Sequence, residues 1–126
     1  MVKGIEHVGI FGKDTKALAD WYCENLGFEI VYDNGKGTYF VAAPDKSMIE
    51  ICVGDTELRS TTTTESGIRH IALTTDNIEE MTEKMIAAGV EVVTPMKISP
   101  NGVGTFFFRD PEGNILHFIQ RPSPLV

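Results

Sequence analysis

The sequence predicts an α+β fold made of two copies of one βαβββ module. Three observations carry that reading: an internal repeat, the same order of strand-like and helix-like periodicities in each copy, and a polar Thr-rich connection between them. IEHVGIFGKDTKALADWYCENLGFEIV at 5–31 lies alongside IRHIALTTDNIEEMTEKMIAAGVEVV at 68–93 with one residue of slack, so His7 falls on His70 and Gly27 on Gly89. TYFVAAPDKSMIEICV at 38–53 and TFFFRDPEGNILHFIQ at 105–120 match without gaps, every pair 67 positions apart, which sets Pro44 on Pro111 and Glu50 on His117. Module 1 is therefore 1–53, the linker 54–67 (GDTELRSTTTTESG) and module 2 68–126. One such copy is too small to bury a core unaided, so both are expected to cover a common interior as a single domain, 1–126.

Each element has a local reason. Residues 4–11 and 68–75 alternate or run apolar as strands do, and each is followed by apolar residues at helical spacing. Leu18, Trp21, Tyr22 and Leu26 form the first helical stripe; Ile78, Met81, Met85 and Ile86 form the second. Asp14 and Asp76 are the predicted N-caps, the latter with Glu79 three residues on as in a capping box. Gly27 and Gly89 stand where a left-handed C-terminal cap favours a residue without Cβ. Three more strands complete each copy, near 28–33, 37–43 and 48–53, then 90–96, 104–109 and 115–120, with DPEGN at 110–114 predicting a type I turn between the last two.

Composition narrows the function. The chain has 126 residues, 42% hydrophobic and 23% charged, as a soluble globular protein does. Its net charge of −7, with no local Lys/Arg cluster, argues against nucleic acid or an anionic membrane as partner. No apolar run is long enough to span a bilayer and MVKGIEHV does not read as a signal peptide, so a cytoplasmic location is expected. Cys23 and Cys52 lack CxxC spacing and read as small buried residues.

The chemistry is concentrated in four strand positions. Val8 and Ile10 share one face of the first strand with His7 on the other; Ile71 and Leu73 oppose His70 in the same way. Ile49, Ile51 and Val53 oppose Glu50, and Leu116 and Phe118 oppose His117. Taken singly, each ionisable residue would be an ordinary satisfied polar group of a core. Together they account for all three histidines of the chain, every one at a repeat-equivalent position, with a carboxylate at the fourth. Imidazole and carboxylate are ligands that divalent zinc, nickel, cobalt, iron and manganese accept, so a shared metal is the stronger reading.

These residues, with the GFEIV and GVEVV that follow the helices, RHIAL, and FRDPEGNILHFIQ, resemble the vicinal oxygen chelate superfamily. That superfamily includes glyoxalase I, methylmalonyl-CoA epimerase, extradiol dioxygenases, and fosfomycin and bleomycin resistance proteins. The resemblance spans essentially the whole chain and implies a curved, mixed eight-stranded sheet around a metal. It implies His7, Glu50, His70 and His117 as ligands of one divalent ion, a small-molecule substrate with adjacent oxygens, and a homodimer. Bacterial glyoxalase I looks nearest at three of the four positions. It carries a catalytic Glu where this chain has His117, which leaves Glu50 as the carboxylate expected to act as base. The implied reaction is proton abstraction beside chelated oxygens, isomerising a hemithioacetal to a hydroxyacyl thioester. Alternatives are a non-haem iron ring-cleaving dioxygenase, an antibiotic or small-molecule binding protein, and an acyl-CoA epimerase. For the last there is no cationic cluster: Lys97 reads as a solvated charge and Arg109 as structural. Phe11, Tyr39, Thr105 and Phe107 are the expected substrate walls, with Thr38, Phe40, Phe106 and Phe108 facing the helices.

Overall fold

The structure, a computed structural model, describes residues 1–57 and 62–126. The middle of the predicted linker, 58–61, lies outside the described residues. The chain divides into two compact units, Met1–Arg59 and Ser60–Val126. Both have the βαβββ order that the repeat predicts.

In the first unit β1 (His7–Gly12) leads into α1 (Thr15–Leu26), followed by β2 (Glu29–Asp33), β3 (Tyr39–Ala42) and β4 (Met48–Val53). In the second, β5 (Ile71–Thr74) leads into α2 (Ile78–Ala87), then β6 (Val92–Ile98), β7 (Gly104–Arg109) and β8 (Ile115–Gln120). The eight expected strands form two four-stranded mixed sheets, ordered β1-β4-β3-β2 and β5-β8-β7-β6. In each sheet the first strand pairs parallel with the last, and the other neighbours are antiparallel. The parallel pair needs a long crossover, and most of the module, helix included, supplies it. It brings the first and fourth strands side by side, with His7, Glu50 and His117 on them and His70 immediately before β5.

Each unit has its own core between helix and sheet. Leu18, Ala19 and Tyr22 of α1 are buried with Ile10, Phe28, Val41, Ile49 and Ile51; Ile78 and Met85 of α2 are buried with Phe106, Phe108, Ile115, Leu116 and Phe118. Ile10, Ile49, Ile51, Phe106, Phe108, Leu116 and Phe118 are among the residues expected to face the helices, whereas Val41 and Ile115 are buried in addition to them. In α2 the buried line runs Ile78, Thr82, Met85, whereas Ile86, expected in the stripe, is exposed. Ile78, Thr82 and Met85 keep the i, i+4, i+7 spacing, so the stripe is rotated slightly from the one hydrophobicity alone selects.

Asp14 caps α1 as predicted, its carboxylate accepting from Ala17 N at 3.1 Å. For α2 the cap is Asn77, one residue beyond the expected Asp76. Its side chain accepts from Glu80 N at 3.1 Å while its Nδ2 donates to the Glu80 carboxylate at 3.0 Å. The capping box is thus Asn77–Glu80, not Asp76–Glu79. A further bond, from Ile78 N to Gln120 Oε1 at 2.7 Å, ties the start of α2 to β8 and satisfies another unpaired donor. Gly27 and Gly89 have φ of 73° and 80°, the left-handed conformation predicted at both helix ends.

Candidate metal centre

Strand pairing determines which side chains meet. Gly9 of β1 is in register with Glu50 of β4, and His7 lies two residues before Gly9 on the same face. Gly9 interposes no side chain, and Glu50 Oε1 stands 3.7 Å from His7 Nε2. That is too long for a hydrogen bond. His7 Nδ1 meets the Glu6 carboxylate at 2.5 Å. A carboxylate only accepts, so Nδ1 is the donor, and in the neutral imidazole the lone pair is then on Nε2, on the Glu50 side.

The second unit repeats the arrangement. Ala72 of β5 is in register with His117 of β8, and His70 shares the face of Ala72. The two imidazoles are 4.5 Å apart between centroids and nearly perpendicular, at 85°. His117 is buried, and its Nδ1 donates to the Phe118 carbonyl at 3.2 Å. Here too the tautomer leaves the lone pair on Nε2. Burial, and then the neighbouring His70, hold the His117 imidazole below its ordinary pKa of 6.5, which favours the neutral form that binds metals.

An aromatic ring stands beside each pair. Phe107 stacks on His117, with centroids 4.2 Å apart and planes 11° apart, and meets His70 edge-on at 5.6 Å. In the first unit Phe40 meets His7 edge-on at 5.2 Å. Phe40 and Phe107 are repeat equivalents, 67 positions apart. This corrects the expected substrate walls: Tyr39 is in register with the buried Ile51, whereas Phe40 is in register with Glu50. The gapless match between 38–53 and 105–120 already sets Phe40 on Phe107, so the exchange was legible there. Phe107 and Thr105 do share the face of His117, and Phe11 shares that of His7. The role of Glu6 had no signal, because strand alternation puts neighbouring residues on opposite faces.

The other candidates stay ordinary. Arg109 donates from Nη1 to the Gly113 carbonyl at 2.9 Å and lies 3.4 Å from the Glu91 carboxylate, which makes it part of the turn structure. Lys97 is exposed on β6. Burial pushes both cysteine thiols up, away from the reactive thiolate.

The donors present suit a divalent ion. At bond lengths of about 2.0–2.2 Å, adjacent ligand atoms of a tetrahedral or octahedral ion stand about 3.0–3.4 Å apart. The 3.7 Å between His7 Nε2 and Glu50 Oε1 is within a few tenths of an ångström of that. His70 and His117 bring together two imidazoles, a ligand type that such an ion accepts. The structure brings together His7 with Glu50, and His70 with His117. Among the described residues no group of three or more His, Cys, Asp or Glu is gathered to hold a metal. Also among the described residues, no helix is long and apolar enough to cross a membrane.

Comparison with known proteins adds context. Residues 4–118 match the family model of the Glyoxalase/Bleomycin resistance protein/Dioxygenase superfamily. The chain is 35% identical to the uncharacterised Bacillus subtilis protein YwbC, over 96% of this chain and 100% of that one. It is 27% identical to biphenyl-2,3-diol 1,2-dioxygenase 2 of Rhodococcus globerulus over 87% of its own length, spanning 58% of that enzyme. Among solved structures, a glyoxalase-superfamily member from Sphaerobacter thermophilus aligns with a TM-score of 0.77 at 22% identity, covering 96% of this chain and 99% of the other. A lactoylglutathione lyase from Agrobacterium tumefaciens aligns with a TM-score of 0.71 at 19% identity, covering 94% of each.

Proposed function

The chain belongs to the glyoxalase/bleomycin resistance protein/dioxygenase superfamily, and from that premise we propose that it is a divalent-metal-dependent enzyme of the glyoxalase type. It would abstract a proton beside the chelated adjacent oxygens of a small substrate and isomerise a hemithioacetal to a hydroxyacyl thioester. One domain of two modules, in a homodimer, would supply His7, Glu50, His70 and His117 to each ion, be it zinc, nickel, cobalt, iron or manganese. The observation that supports this most is the repeat-equivalent pairing: His7 Nε2 facing Glu50 at 3.7 Å in one unit, and His70 against His117 in the other.

When bound, a divalent ion would hold the two substrate oxygens and stabilise the negative charge that develops as the neighbouring C–H is deprotonated. The chain's own groups do the rest. Glu50 is the only carboxylate of the four, so its oxygen takes the proton and later returns it. Glu6 on Nδ1 of His7, and the Phe118 carbonyl on Nδ1 of His117, hold both rings with Nε2 unprotonated. Phe107 fixes the plane of His117 by stacking on it and excludes water from one of its faces.

Glu50→Gln tests the assignment, because it keeps size and an oxygen donor but removes the base. The variant is expected to fold and retain measurable metal while losing turnover of a hemithioacetal by about 100-fold or more, the scale of general-base catalysis. Full turnover in Glu50→Gln would sink the role.

A second reading, ring cleavage by oxygen at iron(II), is favoured by the likeness to a dioxygenase. It ranks lower because the carboxylate stands on the fourth strand and a histidine on the eighth, the reverse of the arrangement expected of that chemistry. Oxygen uptake with a catechol under ferrous iron, without hemithioacetal turnover, would reverse the order.

A further inference from the structure

The site face of the first unit has a composition that the metal does not require. The four strands HVGIFG, EIVYD, YFVA and MIEICV contain no Lys or Arg. Strand register puts Glu29 with Ala42, Tyr32 with Phe40, and Phe40 with Glu50, so the charges on this face come from two carboxylates, Glu29 and Glu50. Of the lysines near β1 in sequence, Lys13 pairs with Glu57 and Lys16 with Asp20 along α1, while Lys3 lies four residues before His7, outside the strand.

The same face displays rings. Phe11, four residues beyond His7, is 60% exposed, and Tyr32 is 55% exposed. From Tyr32 the edge contacts run to Phe40 (6.0 Å) and on to His7 (5.2 Å), so aromatic surface flanks the donor pair along the sheet, with Phe11 further along β1. Apolar rings left in contact with water beside a polar donor pair are surface waiting for a matching apolar group. An anionic substituent here would meet like charges without a strand cation to offset them, on a molecule of net charge −7.

We infer that the substrate group attached to the chelated oxygens is uncharged and aromatic, and not an anionic peptide thiol. The inference rests on the proposed chelation and specifies the substrate class of that site. In the second unit the cations within the strands are Lys97 and Arg109, and Arg121, just beyond β8, acts on His117. Arg109 is held by Gly113 and Glu91, and Lys97 is in register with Thr105 on the edge strand, two strands from His117.

Hydroxamates chelate through two adjacent oxygens, so three of them separate chelation from recognition of the substituent. Zinc-reconstituted protein is titrated calorimetrically with acetohydroxamate, benzohydroxamate and para-carboxybenzohydroxamate, each affinity taken relative to that for zinc in water. The expected result is benzohydroxamate about tenfold tighter than acetohydroxamate, from burial of the ring, with the carboxylated probe about fivefold or more weaker than benzohydroxamate. Phe11→Ala and Tyr32→Ala, both at exposed positions, should lower the ratio of benzohydroxamate to acetohydroxamate affinity. The inference is overturned if the carboxylated probe binds as tightly as benzohydroxamate, or if the aryl gain survives in both variants. If acetohydroxamate itself does not bind the zinc-loaded protein, the chelation reading falls and takes this inference with it, a different outcome from loss of the aryl preference alone.

Discussion

His117 shows how a single residue is constrained by what surrounds it. It lies in ILHFI, flanked by large apolar residues, because in β8 those neighbours include the helix-facing Leu116 and Phe118 while the imidazole points to the other side. Its Nδ1 is satisfied by the Phe118 carbonyl, and its ring is covered by Phe107. Burial leaves it with a depressed pKa in the folded state, and linkage gives the sign of the pH effect. In the metal-free protein its contribution to stability is complete above the unfolded value of 6.5 and is lost as pH falls through the lower folded value, because the unfolded chain takes up the proton first. Urea unfolding of the metal-free protein from pH 7.5 down to 5 should show stability falling more steeply in the wild type than in His117→Gln, by about 1.4 kcal/mol for each pH unit that separates the folded from the unfolded pKa. Equal slopes would mean that His117 titrates alike in both states. That His117 turns away from the helix-facing side was legible from strand alternation, but the stacked Phe107 and the carbonyl partner were not, since both depend on side-chain rotamers.

At the scale of elements, the repeat exposes one local conflict. Gly113 adopts φ of 95° in the turn between β7 and β8, and its counterpart 67 positions earlier is Lys46, with φ of 75°. Both turns close in the same way: Gly113 N donates to the Asp110 carbonyl at 3.0 Å, and Lys46 N to the Ala43 carbonyl at 2.9 Å. A side chain in this left-handed conformation costs about 1–2 kcal/mol, part of which a glycine gives back through greater freedom of the unfolded chain. Lys46→Gly should therefore stabilise the protein by about 0.5–1 kcal/mol in equilibrium unfolding, and a loss of stability would show that the Lys46 side chain has a role of its own. The turn itself was legible in DPEGN but not in PDKS, where no glycine marks the positive φ. Cap placement was legible only to within one residue. Asp76 and Asn77 are both good caps, and the choice of Asn77 is reinforced by Gln120, which lies 42 positions beyond Ile78 in the chain and bonds its amide.

For the whole molecule, the order of all eight strands and both helices followed from periodicity, because a repeated pattern read twice constrains each copy. The parity of β3 did not follow from periodicity, since Thr38, Tyr39 and Phe40 offer two alternations of similar hydrophobicity; the repeat match of Phe40 with Phe107 and the register with β4 separate them. Each unit pairs two of the residues proposed as ligands, His7 with Glu50 and His70 with His117, and the proposal is that all four serve a single ion. The most direct test is calorimetric titration of the metal-free protein with zinc, nickel and cobalt, repeated on single alanine variants of His7, Glu50, His70 and His117. One ion per chain is expected, with each variant weakening binding by about 100-fold or more, above the 10- to 100-fold typical of outer-sphere partners. Absence of binding, or binding that survives both His70→Ala and His117→Ala, would contradict it.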